Sequence, residues 1–113
     1  TVSVQTGTTA ESGCQDEGIE VQAFAANADA KAALTTGKVD AWVVDNLTAI
    51  QMVEEGDGLV ILDEKMTEEP YAFAFAKGSE DLVEAINKAL TDLMADGTVE
   101  AIFDSYGEAY MKP

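Results

Sequence analysis

Two short stretches of the sequence carry groups that could bind a charged small molecule, and Asp45 lies at the end of the first. This stretch, Lys38 to Asn46 with the sequence KVDAWVVDN, is an apolar run that stops at Asp45 and Asn46. Such a run is typical of a buried strand, and open α/β sheets bind ligands beyond the carboxyl ends of their strands. Asp45 is therefore a candidate binding residue. Capping of the following helix by Asp45 or Asn46 explains the same pattern equally well.

The second stretch is the turn from Thr6 to Thr9, with the sequence TGTT, which follows a predicted strand at Val2 to Gln5. It leads into a brief predicted helix that has Glu11 in its first turn. Backbone N–H groups at such a helix start can bind an anion. The turn matches neither GxGxxG nor a P-loop, because no lysine follows the threonine pair, so we do not expect a nucleotide. Taken alone, the stretch is better explained as an ordinary turn capped by threonine.

The composition predicts one globular domain and excludes several partners. The 113 residues can bury a single core, and 47% of them are hydrophobic against 25% charged. The net charge of -16, from six basic and 22 acidic residues, opposes binding to nucleic acid or to an anionic membrane surface. No apolar run approaches the roughly 20 residues of a membrane-spanning helix.

The sequence contains one cysteine, Cys14, and no histidine. It therefore cannot form an internal disulfide, a zinc cluster or a nucleophile activated by histidine. We predict no catalytic residue, no metal site and no cofactor. The chain opens at Thr1 without methionine or a signal peptide, which we interpret as a processed, truncated or dissected chain.

The predicted elements alternate between strands and helices up to Leu62. Asn27 is predicted to cap the helix after the second strand, and Gly37 to end that helix. Apolar residues keep helical spacing from Ala49 to Gly56. This β-α-β-α-β-α-β order indicates parallel strands with helices on both faces. The four strands are predicted at residues 2–5, 19–24, 39–44 and 59–62.

The alternation stops after the fourth strand. Only residues 63–70 separate that strand from the next apolar run, Tyr71 to Ala76, and a parallel crossover needs a dozen or more residues. A fifth strand at Tyr71 to Ala76 should therefore be antiparallel. Two amphipathic helices follow, the first capped by Ser79 and ending near Gly97, the second capped by Thr98. We expect their apolar stripes to be buried.

Several segments together resemble a known family. The chain contains, in order, QTGTT, a helix start NADA, GKVDAWVVDN, ILDEKMTEEPYAFAFAKGS and LVEAINKALTDLMADGTVEAIFDSYG. In this order and spacing they resemble the second half of a type II extracellular solute-binding protein of the polar amino-acid ABC transporter class. The resemblance covers essentially the whole chain. In that family two α/β lobes close over one amino acid.

The resemblance implies that residues 1–113 form a single α/β lobe, the second of the pair. Residues 1–62 correspond to its βα repeats, residues 63–76 to the hinge and the returning strand, and residues 79–113 to the C-terminal helices. The segment between Thr9 and Ile19 is shorter than is usual in the family. The first lobe, with the arginine that clamps the ligand carboxylate, is missing.

The resemblance also assigns roles to the two stretches described first. Asp45 matches the aspartate that holds the ligand ammonium, and Thr9 with the backbone from Gly7 to Ala10 matches the turn that receives the ligand carboxylate. Gln5 lies where a pocket-lining side chain is found. An anion-binding helix start beside a carboxylate, both at the carboxyl ends of adjacent strands, complements a zwitterion. The predicted ligand-binding residues are Gln5, Gly7, Thr8, Thr9 and Asp45.

The function implied is that of the amino-acid-binding lobe of a transporter's binding protein, and not of an enzyme. Its expected partners are a small zwitterionic amino acid, the missing first lobe or a second chain, and the membrane permease of the parent transporter. The parent protein is expected in the periplasm or on the extracellular surface. Half of a two-lobed site should bind weakly or not at all, and an isolated lobe without ligand affinity is compatible with the resemblance.

An alternative interpretation is a receiver-like phosphoacceptor domain. In it Asp45, at the end of the third strand, accepts a phosphoryl group, and Lys77 imitates the lysine of a receiver. Receivers also need acidic residues after the first strand to hold Mg²⁺, which prefers oxygen ligands. Gln5 and Thr6 occupy that position, so this interpretation ranks second.

The resemblance leaves one position of the sheet open. In the two-lobed family the fifth strand of this lobe comes from a segment that precedes Thr1. We expect Tyr71 to Ala76 to cover the open edge instead, because an uncovered apolar edge pairs with other strands. The predicted sheet is thus doubly wound, mostly parallel and five-stranded, with order 2-1-3-5-4 and the C-terminal helices folded onto it. The rival is a domain-swapped homodimer that exchanges this strand and the helices across residues 63–70.

Overall fold

The computed structural model describes residues 1–112, which form two compact units. The first unit runs from Thr1 to Met66 and the second begins at Thr67. The boundary between them lies within residues 63–76, the segment predicted as a hinge and returning strand. The finer division of the chain into repeats, hinge and C-terminal helices stays a prediction.

A small parallel sheet forms the centre of the first unit. Its strands are β1 (Val2–Gln5), β2 (Val21–Phe24) and β3 (Ala41–Trp42), in the order β2-β1-β3. Both neighbours of β1 run parallel to it. The predicted order 2-1-3 is therefore confirmed for the first three strands. Strand β3 is shorter than predicted, although the Val43 N–H still donates to the Ser3 carbonyl at 2.9 Å.

Three helices follow the three strands, and the central strand is buried on both faces. They are α1 (Thr9–Asp16), α2 (Asn27–Thr35) and α3 (Asn46–Met52). Ser3 and Val4 are fully buried, and successive residues of a strand point to opposite faces of the sheet. On one face the Ser3 hydroxyl donates to the Ala30 carbonyl of α2 at 2.8 Å. Burial on both faces confirms the predicted α/β layering around β1.

Glycine ends α2 as the sequence predicts. Gly37 adopts φ +72°, a left-handed conformation that L side chains rarely adopt. The N–H groups of Gly37 and Lys38 donate to the carbonyls of Leu34 and Ala33, each at 2.9 Å. This pair of bonds is a Schellman motif, which satisfies the last helical carbonyls and turns the chain towards β3.

Two predicted helix caps are wrong by one residue. Ala26, with extended backbone, occupies the N-cap of α2, so Asn27 is the first helical residue and not the cap. Gly97 likewise precedes α5 (Thr98–Ser105) in a left-handed conformation, and Thr98 begins the helix. The Thr98 N–H donates to Asp96 Oδ1 at 2.9 Å. Capping depends on the backbone angles of the preceding residue, which residue preference alone does not determine.

A partly buried ion pair lies at the C-terminal end of α3. Lys31 Nζ, on α2, donates to the Met52 carbonyl at 2.6 Å and lies 2.6 Å from Asp57 Oδ2. The Lys31 ammonium therefore meets the negative end of the α3 dipole as well as a carboxylate. Its hydrogen bond holds the pKa of Asp57 below the ordinary value. These contacts tie α2 to α3 at the end opposite the strand-to-helix turn that contains Asp45.

The second unit is built from α4 (Glu80–Ala95) and α5, which pack against each other. The rings of Phe103 and Tyr110 stack at 5.4 Å between centroids, tilted by 59°. The apolar stripes of α4 and α5 were predicted to be buried, and this prediction is wrong. Leu82 and Ile102 are each 52% exposed. None of the helices within residues 1–112 is long and apolar enough to cross a membrane.

The predicted fourth and fifth strands are not formed. Residues 59–62 and 71–76 carry no regular structure, and the sheet has three strands, so the five-stranded order 2-1-3-5-4 is not confirmed. Val60 is 81% exposed and Phe73 69% exposed. A strand requires a neighbour for its backbone hydrogen bonds and a surface to cover its apolar face, and neither segment is a strand of the described sheet.

Candidate functional site

The strand order places a crevice between β1 and β3. Strand β1 leads to β2 on one side, and the chain then crosses to β3 on the other side. In open parallel sheets, ligands bind at such a reversal, outside the carboxyl ends of the strands. A cavity of about 160 Å³ lies there. It is lined by Gln5, Thr8, Ala10, Asn27, Val43, Val44, Asp45 and Thr48.

A larger concavity, of about 720 Å³, lies within the second unit between residues 75–80 and one face of α4. It contains none of the residues predicted to bind a ligand. Of the α4 residues that line it, Val83 is apolar and the others are polar: Glu80, Glu84, Asn87, Lys88 and Thr91. The smaller cavity is therefore the candidate site, because polar groups from the ends of two strands and the starts of three helices converge on it.

Asp45 stands at the N-cap position of α3, where its carbonyl accepts the Ala49 N–H at 3.0 Å. Its side chain is exposed and makes no capping hydrogen bond to the helix. The sequence left helix capping and ligand binding as equal explanations for this residue. Because the carboxylate does not cap α3, capping does not account for the aspartate.

Thr8 connects the end of β1 to the start of α1. It is the N-cap of α1, and its hydroxyl accepts the Glu11 N–H at 3.3 Å. The same hydroxyl donates to the Gln5 carbonyl at 2.7 Å. For this turn, then, the capping explanation is correct. The Thr8 side chain is used to shape the turn, while the residue also lines the cavity.

Glu11 occupies part of the turn that was predicted to bind an anion. Its Oε2 accepts the Gly7 N–H at 2.6 Å, so a carboxylate of the chain itself is bound there. The Thr-x-x-Glu spacing of Thr8 and Glu11 is that of a capping box, a signal that sequence reasoning could have used. The first N–H groups of a helix have no partner within it, which leaves those of Thr9 and Ala10 as donors for an external anion.

Gln5 ends β1 and is held at the rim of the crevice. Its Nε2 donates to the Ala25 carbonyl at 3.2 Å, just after β2. This bond fixes the side chain across the ends of β1 and β2. The amide nitrogen is thereby engaged by the backbone, and Gln5 lines the cavity.

The structure brings together three of the five predicted binding residues. Gln5, Thr8 and Asp45 line one cavity, whereas Gly7 and Thr9 lie in the adjoining turn and do not line it. Sequence reasoning missed Asn27 and Thr48 as lining residues. Asn27 was interpreted only as a helix cap, and Thr48 lies one turn into α3 behind Asp45.

The lining residues offer binding groups and no nucleophile with a base. Cys14, the one thiol, is fully buried in α1, and burial raises the pKa of its thiol and disfavours the reactive thiolate. Within residues 1–112, no group of three or more histidine, cysteine, aspartate or glutamate side chains could hold a metal ion. What the cavity presents is one carboxylate beside the positive end of a short helix, an arrangement complementary to a zwitterion.

Comparison with known proteins gives the family of the chain. The sequence matches the bacterial extracellular solute-binding proteins, family 3, over residues 9–109. It is 30% identical over 91 residues to the L-cystine-binding protein TcyJ of Escherichia coli strain K12, covering 80% of this chain and 34% of the relative. It is 32% identical over 79 residues to the ABC transporter glutamine-binding protein GlnH of Bacillus subtilis strain 168, covering 70% and 29%.

A third relative is matched over more of this chain. The chain is 26% identical over 112 residues to the putative ABC transporter arginine-binding protein 2 of Escherichia coli strain K12, covering 93% of this chain and 46% of that protein. The chain thus spans less than half the length of the curated relatives it matches. Nothing in these matches favours a receiver domain. Because the family match extends over most of its residues, the chain belongs to the bacterial extracellular solute-binding proteins of family 3.

Proposed function

We propose that the chain is the second lobe of an amino-acid-binding protein that serves an ABC transporter, and that it binds its ligand without transforming it. The observation that carries the proposal is the convergence of Asp45 and the start of α1 on one cavity at the strand-order reversal. The family and the names of the relatives support it. Cystine, glutamine and arginine share an α-ammonium and an α-carboxylate, which are the two groups that this crevice complements.

The proposed roles follow from the donors and acceptors at the crevice. The Asp45 carboxylate accepts hydrogen bonds from the ligand ammonium, since it is an acceptor-only group with an exposed side chain. The N–H groups of Thr9 and Ala10 receive the ligand carboxylate at the positive end of α1. Gly7 contributes its N–H when Glu11 moves away from it, and Gln5 and Thr8 shape the wall.

A complete site requires a second surface opposite the crevice. At about 160 Å³ the cavity is smaller than the roughly 300–1,000 Å³ of pockets that enclose a small molecule. We propose that a first lobe, or a second copy of the chain, covers the ligand. We also propose that residues 71–76 pair beside β3, either within the chain, in the order 2-1-3-5-4, or between two chains in a swapped homodimer.

The proposed setting is outside the cytoplasmic membrane, where the closed protein delivers its ligand to a membrane permease. Relatives with periplasmic or ABC transporter in their names support this location. Detection of the parent protein in the cytosol alone would contradict it. Fractionation of cells that express the parent protein, followed by immunodetection, makes that measurement.

The experiment that tests binding is an NMR titration of the chain with individual amino acids at millimolar concentration. Asp45→Asn keeps the size of the side chain and removes its charge. We expect it to weaken binding by about 1.5 to 3 kcal/mol, or about 10- to 150-fold, the usual contribution of a hydrogen bond to a charged group. Asp63→Asn, at an exposed loop position, is the matched control. Equal affinities of the unmutated chain and of Asp45→Asn for the amino acid would contradict the proposal that Asp45 binds the ligand ammonium.

A further inference from the structure

The carboxamide of Asn27 contains a polar atom that the proposed function does not use. Within residues 1–112 three buried side-chain polar atoms lack a hydrogen-bond partner, and Asn27 Oδ1 is one of them. The other two belong to Trp42 and Tyr110, which do not line the cavity. Most buried polar groups are hydrogen-bonded, because an unsatisfied one loses its hydration without compensation. An unsatisfied oxygen at a binding crevice therefore requires an explanation.

Helix capping does not supply that explanation. An asparagine at a helix start ordinarily accepts a backbone N–H from the first turn, but only at the N-cap position. Ala26 takes that position in α2, and the helix start has no side-chain capping bond. Asn27 is thus placed one residue too late to cap, and it lines the cavity with its Oδ1 covered.

The residues that line the cavity with Asn27 offer different groups for the different parts of an amino acid. Asp45 supplies a charged acceptor for an ammonium, and the start of α1 supplies donors for a carboxylate. Asn27 adds a neutral acceptor, and Val43 and Val44 add apolar surface. Once both charged groups of a zwitterion are bound, the part of the ligand left for the neutral groups of the cavity is its side chain, and Asn27 is one of those groups.

We propose that Asn27 is a specificity-determining residue whose Oδ1 accepts a hydrogen bond from an N–H group on the side chain of the bound amino acid. The inference rests on the proposed function and names the substrate class of the same site: amino acids with amide or cationic nitrogen in the side chain. The terminal torsion of asparagine is soft, so a small rotation turns the covered oxygen towards such a donor.

Size and charge agree with this class. The cavity holds about 160 Å³, roughly five times the liquid volume of one water molecule, which admits a small polar group. An acidic side chain would place a carboxylate against the carboxamide oxygen and near Asp45, in a chain of net charge -16. An aliphatic side chain would leave Oδ1 unsatisfied. Sites that hydrogen-bond a substrate N–H discriminate strongly against analogues that lack it.

The test compares glutamine with methionine, which has a similar length and no side-chain N–H. NMR titrations of the intact chain give the ratio of the two affinities for the parent, Asn27→Ala and the control Asn87→Ala, an exposed position on α4. We expect the preference for glutamine to fall about 3- to 10-fold in Asn27→Ala, the effect of one neutral hydrogen bond, and to stay unchanged in Asn87→Ala. Asn27→Asp should instead shift the preference from glutamine towards arginine.

Stability measurements separate recognition from a structural role. Alanine favours helix and removes an unsatisfied oxygen, so Asn27→Ala should unfold at the same or a higher temperature than the parent. An unchanged ratio of glutamine to methionine affinity in Asn27→Ala would overturn the proposal, whether or not the melting temperature falls. If that ratio is unchanged while Asp45→Asn still weakens the binding of both amino acids, the role of Asn27 is wrong and the proposed function stands. If neither amino acid binds the unmutated chain at millimolar concentration, the lobe has no ligand affinity of its own, and the role of Asn27 in this chain is overturned.

Discussion

The sequence of residues 1–66 and that of residues 67–112 contain similar proportions of apolar residues. Only residues 1–66 include apolar side chains that are buried. The buried core consists of Val4, Cys14, Ala30, Ala33, Val39 and Ala49, all in the first unit. No residue from 67 to 112 is buried, and large side chains such as Phe73 and Tyr106 are exposed. The second unit therefore exposes large apolar side chains without a buried core, whereas the first unit combines a buried core with exposed apolar residues such as Val60.

The difference decides where a binding site can be held rigidly. The candidate site lies at the ends of strands that are backed by the buried core, and its helices are tied by Ser3 to α2 and by Lys31 to α3. Side chains on such elements keep a defined geometry. The concavity beside α4 lacks this support, which is a second reason to assign ligand recognition to the first unit.

The largest expected effect comes from placing a charge in the core of one unit and on the surface of the other. Val4 is fully buried and Leu82 is 52% exposed. We expect Val4→Asp to destabilise by about 4 kcal/mol or more, since an unpaired charge would be buried, and Leu82→Asp to change stability by at most about 0.5 kcal/mol. Urea unfolding followed by circular dichroism measures both. A comparable loss in the two variants would show that α4 has a covered face.

The first unit was largely predictable because its signals are local. The period of the apolar residues, the Thr-Gly turn and Gly37 predicted the alternation of strands and helices, and the family resemblance supplied the order 2-1-3. Parallel strands end at the same edge of a sheet, which places Gln5, Thr8 and Asp45 around one cavity. The contact of Glu11 with Gly7 follows from a spacing that is visible in the sequence, though it was not used.

The errors arose where structure depends on partners distant in the chain. Residues 59–62 and 71–76 have the composition of strands, but strand formation needs a neighbouring edge and a covering face, which no local pattern reports. The role of Asn27 was missed for a different reason. Its preference for helix starts is local, while the one-residue offset that frees its carboxamide depends on the backbone of Ala26.

A smaller effect is expected from removing matching serine hydroxyls in the two units. The Ser3 hydroxyl is buried and donates to the Ala30 carbonyl at 2.8 Å, while the exposed Ser105 hydroxyl donates to the Ile102 carbonyl at 2.7 Å. We expect Ser3→Ala to cost about 1 kcal/mol, the usual net contribution of one hydrogen bond. Ser105→Ala should be neutral within about 0.5 kcal/mol, because water replaces the partner. Chemical denaturation of both variants measures the difference, and equal losses would argue against a core confined to the first unit.

The smallest effect concerns pH and the ion pair that ties α2 to α3. Lys31 holds the pKa of Asp57 below its ordinary value of 3.8 in the folded chain. A carboxyl group with a lowered folded pKa stabilises the fold above its unfolded pKa and loses that stabilisation as the pH falls through the folded value. The unmutated chain should therefore be more stable than Asp57→Asn at neutral pH, and the stabilities of these two chains should converge as the pH falls below 3.8.

Asp92→Asn is the control, because the Lys88–Asp92 pair lies exposed on α4, where such pairs contribute little to stability. Thermal unfolding of all three chains from pH 7 to pH 3 makes the comparison, and a gap between the parent and Asp57→Asn that stays constant with pH would show that Asp57 acts through packing and not through its charge.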